Sequence, residues 1–84
     1  MPTFLRTQGF RFFCFSLDRA EPPHVHVAHG DKTAKYWLNP VELARSEGFR
    51  AHELNRVRAL VIEHRTTFQG AWDEHFRDQE GNSG

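Results

Sequence analysis

Glu21-Pro22-Pro23-His24-Val25-His26-Val27 is the segment of this chain whose residue types and spacing could do chemistry. Two histidines two positions apart on a strand project from one face, about 7 Å apart at the root. That spacing lets both imidazoles converge on one metal ion or one phosphate. Glu21 stands just upstream on a proline-stiffened stretch, so its carboxylate is held nearby at little entropic cost. Two chemistries fit. His24, His26 and an acidic third ligand could hold a divalent metal such as zinc. Without metal, one histidine could take a proton and the other give one during phosphodiester cleavage, with Lys35 stabilising phosphate charge. The plainer alternative is the polar face of a half-buried sheet, packed beside Trp37. No second Cys or His cluster accompanies the motif, so zinc is only weakly signalled and no other cofactor is expected.

The elements that must position these groups are strands in the first half and helices in the second, the pattern of an α+β domain. Thr3–Arg6 reads as a short strand, with Gly9 as the turn that follows. Phe10–Ser16 reads as a strand with Phe10, Phe12 and Cys14 on one side and Phe13 and Phe15 on the other. Leu17–Pro23 reads as a stiff extended connection, because neither proline can donate to a ladder. His24–His29 alternates as a strand should, and Gly30-Asp31 is a two-residue hairpin signal with glycine first. That turn pairs residues whose numbers sum to 61. Val25 then opposes Tyr36 and Val27 opposes Ala34 on an apolar face. His24 opposes Trp37 and His26 opposes Lys35 on the other.

Asn39-Pro40-Val41-Glu42 carries the spacing of a helix start, with Gly48 as the stop. A second helix is expected from residue 51 to 77, with Phe49 and Leu54 spaced for a hydrophobic staple. Its stripe is Leu54, Val57, Val61, His64, Phe68, Trp72 and His75/Phe76. Straight, it would reach about 40 Å, so a kink at Gly70 or a projecting end is expected. The expected architecture is an antiparallel sheet of three or four strands with two helices packed on one face. It occupies residues 1–79 as one domain, with 80–84 as a flexible tail.

Composition narrows the function classes. The chain has 84 residues, with Lys+Arg and Asp+Glu both at 11. No apolar run approaches the roughly 20 residues needed to cross a membrane, and the opening lacks a signal-peptide pattern. One cysteine, Cys14, excludes an internal disulfide framework and suits a reducing cytoplasm. Arg50, Arg56, Arg58 and Arg65 outnumber Glu53 and Glu63 in the middle, so Arg56 and Arg58 are candidates for phosphate contact. The neutral total argues against a dedicated nucleic-acid binder. Sequence-specific DNA is not expected, because the second helix is mixed in charge and too long for a recognition helix. Cys14 reads as a buried thiol, His29 as incidental at a hairpin turn, His64 as a core histidine, and His52 as serving the helix start.

The chain resembles the small bacterial domain-of-unknown-function family numbered 4160 (DUF4160). The specific element is the EPPHVHV run at residues 21–27. Met1-Pro2-Thr3, Arg11-Phe12-Phe13, Ala34-Lys35, Trp37-Leu38, Gly48-Phe49, Ala51-His52-Glu53-Leu54, Trp72 and Phe76 support it. Arg50 departs from the pattern, where a capping serine is common. Members are often encoded beside another small protein, an arrangement that looks like a toxin–antitoxin module. The resemblance therefore implies a cytoplasmic interaction protein with a small protein partner, working through a sheet face bearing His24, His26, Lys35 and Trp37. The alternatives are a small ribonuclease or metal-binding enzyme using the EPPHVHV segment, with RNA as ligand, and a phage or mobile-element inhibitor of a host protein complex. The overlong helix and the double-faced apolar strand also leave a homo-oligomer open.

Overall fold

A computed structural model describes residues 3–81. Five strands form one antiparallel sheet in sequence order: β1 (Thr3–Thr7), β2 (Phe10–Phe13), β3 (His24–His29), β4 (Lys32–Leu38) and β5 (Val41–Glu47). A 3₁₀ turn at Ser16–Ala20 interrupts the meander, and two helices follow, α1 (Ala51–Glu63) and α2 (Arg65–Gly81). Of the expected tail at 80–84, Glu80 and Gly81 close α2 and 82–84 lie outside the described residues, as do Met1 and Pro2. Neither helix is long and apolar enough to cross a membrane.

The hairpin register is the one that the Gly30-Asp31 turn dictates. His24 opposes Trp37, Val25 opposes Tyr36, His26 opposes Lys35 and Val27 opposes Ala34. Gly30 takes a φ of +62°, which suits glycine in the first turn position. β2 adds to the other side of β3, with Phe12 opposite Val27 and Phe13 opposite His26. Alternation then divides the sheet. Phe10, Phe12, Val25, Val27, Ala34, Tyr36 and Leu38 form one buried face, covered by Val57, Leu60, Val61 and Phe68 of the helices. Phe13, His26, Lys35 and Trp37 belong to the other.

The sheet has five strands rather than three or four, because Val41–Glu47 is a strand and not the helix that Asn39-Pro40-Val41-Glu42 suggested. Asn39 and Pro40, joined by a cis peptide, turn the chain back along β4. Two things outweigh the capping signal. Val41 and Leu43 follow a period of two, and a seven-residue helix would be marginal in water. Pairing with β4, in contrast, satisfies backbone groups that β4 would otherwise leave open. Gly48 ends β5, not a helix. Its φ is +89°, and a Cβ there would meet the Lys32 side chain at 3.1 Å.

β2 is also shorter than expected and stops at Phe13. Cys14 leaves the sheet for a second apolar cluster with Trp72 and Phe76, where burial, with a smaller push from the Asp18 charge, raises its pKa to about 11. The helical stripe is as read, but the helix breaks at His64 and not at Gly70. The Arg65 guanidinium donates to the Leu38 carbonyl at 2.7 Å and to Asn39 Oδ1 at 3.2 Å, tying the junction to the end of β4. Beyond the break, Phe68 packs its ring 5.0 Å from that of Phe12.

Helix α1 starts with half a capping box. The Glu53 carboxylate accepts the Arg50 N–H at 2.8 Å and the Lys32 ammonium at 2.7 Å. The Arg50 side chain makes no capping hydrogen bond, although its backbone is extended as a cap requires. Arg50→Ser should therefore stabilise the fold by about 0.5–1 kcal/mol, read as a raised urea midpoint at unchanged slope. Phe68→Ala, which empties the centre of the core, should cost about 3–5 kcal/mol by the same measurement.

Candidate functional site

On β3, Val25 and Val27 face the helices, so His24 and His26 must face the other way. That second face carries no full helix layer. The 3₁₀ turn lies against it and delivers Asp18. The turn closes on itself: the Phe15 N–H donates to Asp18 Oδ2 at 2.8 Å while the Asp18 N–H donates to the Phe15 carbonyl at 3.0 Å. Pro22 and Pro23 then lead straight into β3, and the Pro22 carbonyl sits 2.9 Å from His24 Nδ1. The result is a buried trio. His24 is 0% exposed, and His26 and Asp18 are 8% each.

Both imidazoles aim at one carboxylate oxygen. His26 Nε2 lies 3.0 Å from Asp18 Oδ2 and donates to it. His24 Nε2 lies 3.1 Å from the same atom, yet forms no hydrogen bond there or elsewhere among the described residues. The tautomer follows from chemistry. A carbonyl oxygen can only accept, so the His24 proton sits on Nδ1, toward Pro22. In the neutral ring, Nε2 then presents a lone pair to a carboxylate that is also a lone-pair donor. A metal cation between them removes that repulsion. The three donor atoms lie within 4.8 Å of one another.

Electrostatics follow from this enclosure. For His26, burial pushes the pKa down and outweighs the upward pull of Asp18. For Asp18, burial pushes up, but the Phe15 N–H and the two histidines prevail and hold the carboxyl below its usual range. Aromatic rings line the rest. Phe13 stacks on His26 at 5.5 Å and Phe15 meets it edge-on at 4.8 Å. Trp37 and Trp72 close on His24 at 5.5 and 5.0 Å. A shallow cavity of about 170 Å³ opens beside His26, bordered by Phe15, Lys35, Arg45 and Ser46 among others.

The other residues singled out from the sequence fall at varied distances from this centre. Glu21 and Lys35 lie beside it but pair with each other, and that contact holds the Glu21 carboxyl below its usual range. The Lys35 ammonium also rests 4.7 Å over the Trp37 ring. Glu21 is therefore not the acidic member of the trio; Asp18 is. Asp18 stands eight residues before His26, in a segment read as extended, and only the 3₁₀ turn folds it back. The reciprocal bonds between Phe15 and Asp18 have no strong sequence signature. Arg56 and Arg58 are exposed on α1, and Arg58 borders a different groove with Tyr36 and Leu54. His29 has a structural task, with its Nδ1–H donating to the Gly9 carbonyl at 2.9 Å. His64 is partly buried, 3.2 Å from Glu63, and His52 is exposed.

The family model described as Domain of unknown function (DUF4160) matches residues 9–73, and the chain belongs to that family. No curated protein and no solved structure matches it. The matched span contains Asp18, His24, His26 and their aromatic surround.

The direction of the two shifts sets a pH dependence for the chelator-treated protein. As pH falls below 6.5, the ordinary histidine value, unfolded chains take up a proton that His26 in the fold resists. Stability present above that pH is therefore lost on acidification. Below 3.8, Asp18 adds a second loss of the same sign. Thermal unfolding in EDTA should show a midpoint that declines from pH 7 to pH 5, and His26→Gln should flatten that first decline.

Proposed function

We propose that Asp18, His24 and His26 form a binding centre for a divalent transition metal, with zinc the natural occupant of a two-imidazole, one-carboxylate set. The observation that carries this reading is the fully buried His24 Nε2. Its tautomer is set by Pro22, it has no hydrogen-bond partner among the described residues, and it points at a carboxylate that His26 also addresses. A metal ion needs converging lone pairs: His24 Nε2 and the carboxylate already present theirs, and His26 would present its own once the ion displaces the Nε2 proton now donated to Asp18. In tetrahedral zinc with bonds near 2.0–2.1 Å, neighbouring ligand atoms stand about 3.3 Å apart; each imidazole stands 3.0 or 3.1 Å from Asp18 Oδ2, and all three donor atoms lie within 4.8 Å of one another. Outer support is also in place, because the Pro22 carbonyl orients His24 and the Phe15 N–H orients Asp18.

Three protein ligands leave a fourth position for water or a ligand group, the arrangement of catalytic rather than structural zinc. The cavity beside His26 gives a polar group a path toward that position, and its border is mixed in charge, with Arg45, Glu47 and a Lys35 that Glu21 already pairs. A metal held there by Asp18, His24 and His26 would supply Lewis acidity for hydrolysis. A metal-free acid–base pair is less well served, since such a pair must present its nitrogens to substrate. Here His24 is enclosed and both its nitrogens face protein oxygens. A role as an interaction protein stands as the second reading. The observation that favours it lies elsewhere, on the outer sheet edge at β5, where Leu43 is 43% exposed.

Stripped with EDTA and titrated with cobalt(II), the protein should develop the visible absorption of a low-symmetry site, discharged by zinc. Zinc at 100 times its dissociation constant should stabilise the fold by about 2.7 kcal/mol. Asp18→Asn and His24→Gln, checked for folding by circular dichroism, should each weaken binding by about 100-fold or more, while His29→Gln on the same strand should not. A wild-type protein showing neither the cobalt band nor the zinc shift would overturn the proposal.

A further inference from the structure

β5 is the outer strand of the sheet, seven residues long and exposed over most of its length. Its pairing with β4 contains an irregularity: Leu43 opposes Tyr36 and Arg45 opposes Lys35, which makes Ala44 an extra residue. Glu42 and Arg45 are three positions apart, so in a regular strand they would face opposite sides. The bulge changes this. Glu42 opposes Trp37 and Arg45 opposes Lys35, so both point to the polar face. Arg45 is set against a like charge there, and Lys35 is already paired with Glu21. Among the described residues, neither Glu42 nor Arg45 has an ion-pair partner.

We propose that two copies of this chain associate through β5, edge to edge and antiparallel. The register is the one that sets Glu42 of each copy opposite Arg45 of the other. A two-fold axis normal to the sheet keeps the polar faces on the same side, so both ion pairs form on that side. Leu43 and Ala44 then meet their counterparts between the two pairs. The occupant is a second copy, because the strand's charge order is complementary to itself: carboxylate, two apolar residues, guanidinium. Pairing supplies each Arg45 with the counter-charge that its position opposite Lys35 lacks, and it removes the unpaired edge of both sheets. This gives the interaction reading a specific partner and is independent of the metal centre.

The test is sedimentation across a concentration series in EDTA, so that metal binding plays no part. Wild type should dimerise. Glu42→Arg and Arg45→Glu should each place like charges opposite one another twice and weaken the dimer by about tenfold or more. The double variant Glu42→Arg/Arg45→Glu should bring dimerisation back to within about threefold of wild type, since it exchanges the signs and keeps the pairing. Circular dichroism should stay the same in all four proteins, and Glu42→Arg, which lies outside the cavity beside His26, should keep the wild-type zinc response, which separates this result from the fate of the metal reading. A wild type that stays monomeric throughout, or a double variant no better than the singles, would rule the pairing out.

Discussion

The oxygen Asp18 Oδ2 accepts the Phe15 N–H and the His26 Nε2–H and faces the unsatisfied Nε2 of His24, all within 3.1 Å. The second face of the sheet depends on that convergence. A five-stranded sheet with helices on one side leaves its other side to be covered by something else. The 3₁₀ turn does so with the Asp18 carboxylate, beside the rings of Phe13 at the end of β2 and Phe15 just before the turn. Burial of charged and polar groups is costly unless they are mutually satisfied. Among the described residues, the imidazole lone pair of His24 is left against a carboxylate with nothing to close it.

The two faces of β3 thus serve different ends. Val25 and Val27 join a continuous apolar layer with Phe12, Tyr36, Leu38, Val61 and Phe68, which supplies the cohesion of the fold. His24 and His26, on the same six residues of chain, lie in a smaller enclosure of aromatic rings and one carboxylate. Rigidity passes from one to the other through the strand. The core fixes the backbone of β3, and alternation then fixes where both imidazoles stand. Trp72 links the layers, packing with Cys14 and Phe76 while bringing its ring to His24.

Much of this was legible in the chain itself. Period-two alternation, the Gly30-Asp31 turn and the register that it imposes placed His24 beside Trp37 and His26 beside Lys35. Three- and four-residue spacing identified the helical stripe. The errors arose where a local signal competed with a distant partner. Asn39-Pro40-Val41-Glu42 satisfies a helix start by itself, but the open edge of β4 captures Val41–Glu47 as a strand. The helix was expected to kink at Gly70 or to project at its end, but it breaks at His64, where Arg65 reaches the end of β4. Glycine permits a bend; an external tether determines where it falls.

The sequence by itself determined the strand that carries the two histidines, the face they share and the residues across from them. Those follow from side-chain alternation and turn geometry, which act within about a dozen residues. Only the tertiary structure decided that both imidazoles are enclosed, that Asp18 rather than Glu21 completes the set, and that Glu21 is occupied by Lys35. Each of these depends on how a short turn folds back over a sheet face. That path is set by backbone hydrogen bonds between Phe15 and Asp18 and by the room the aromatic rings leave, neither of which residue spacing encodes.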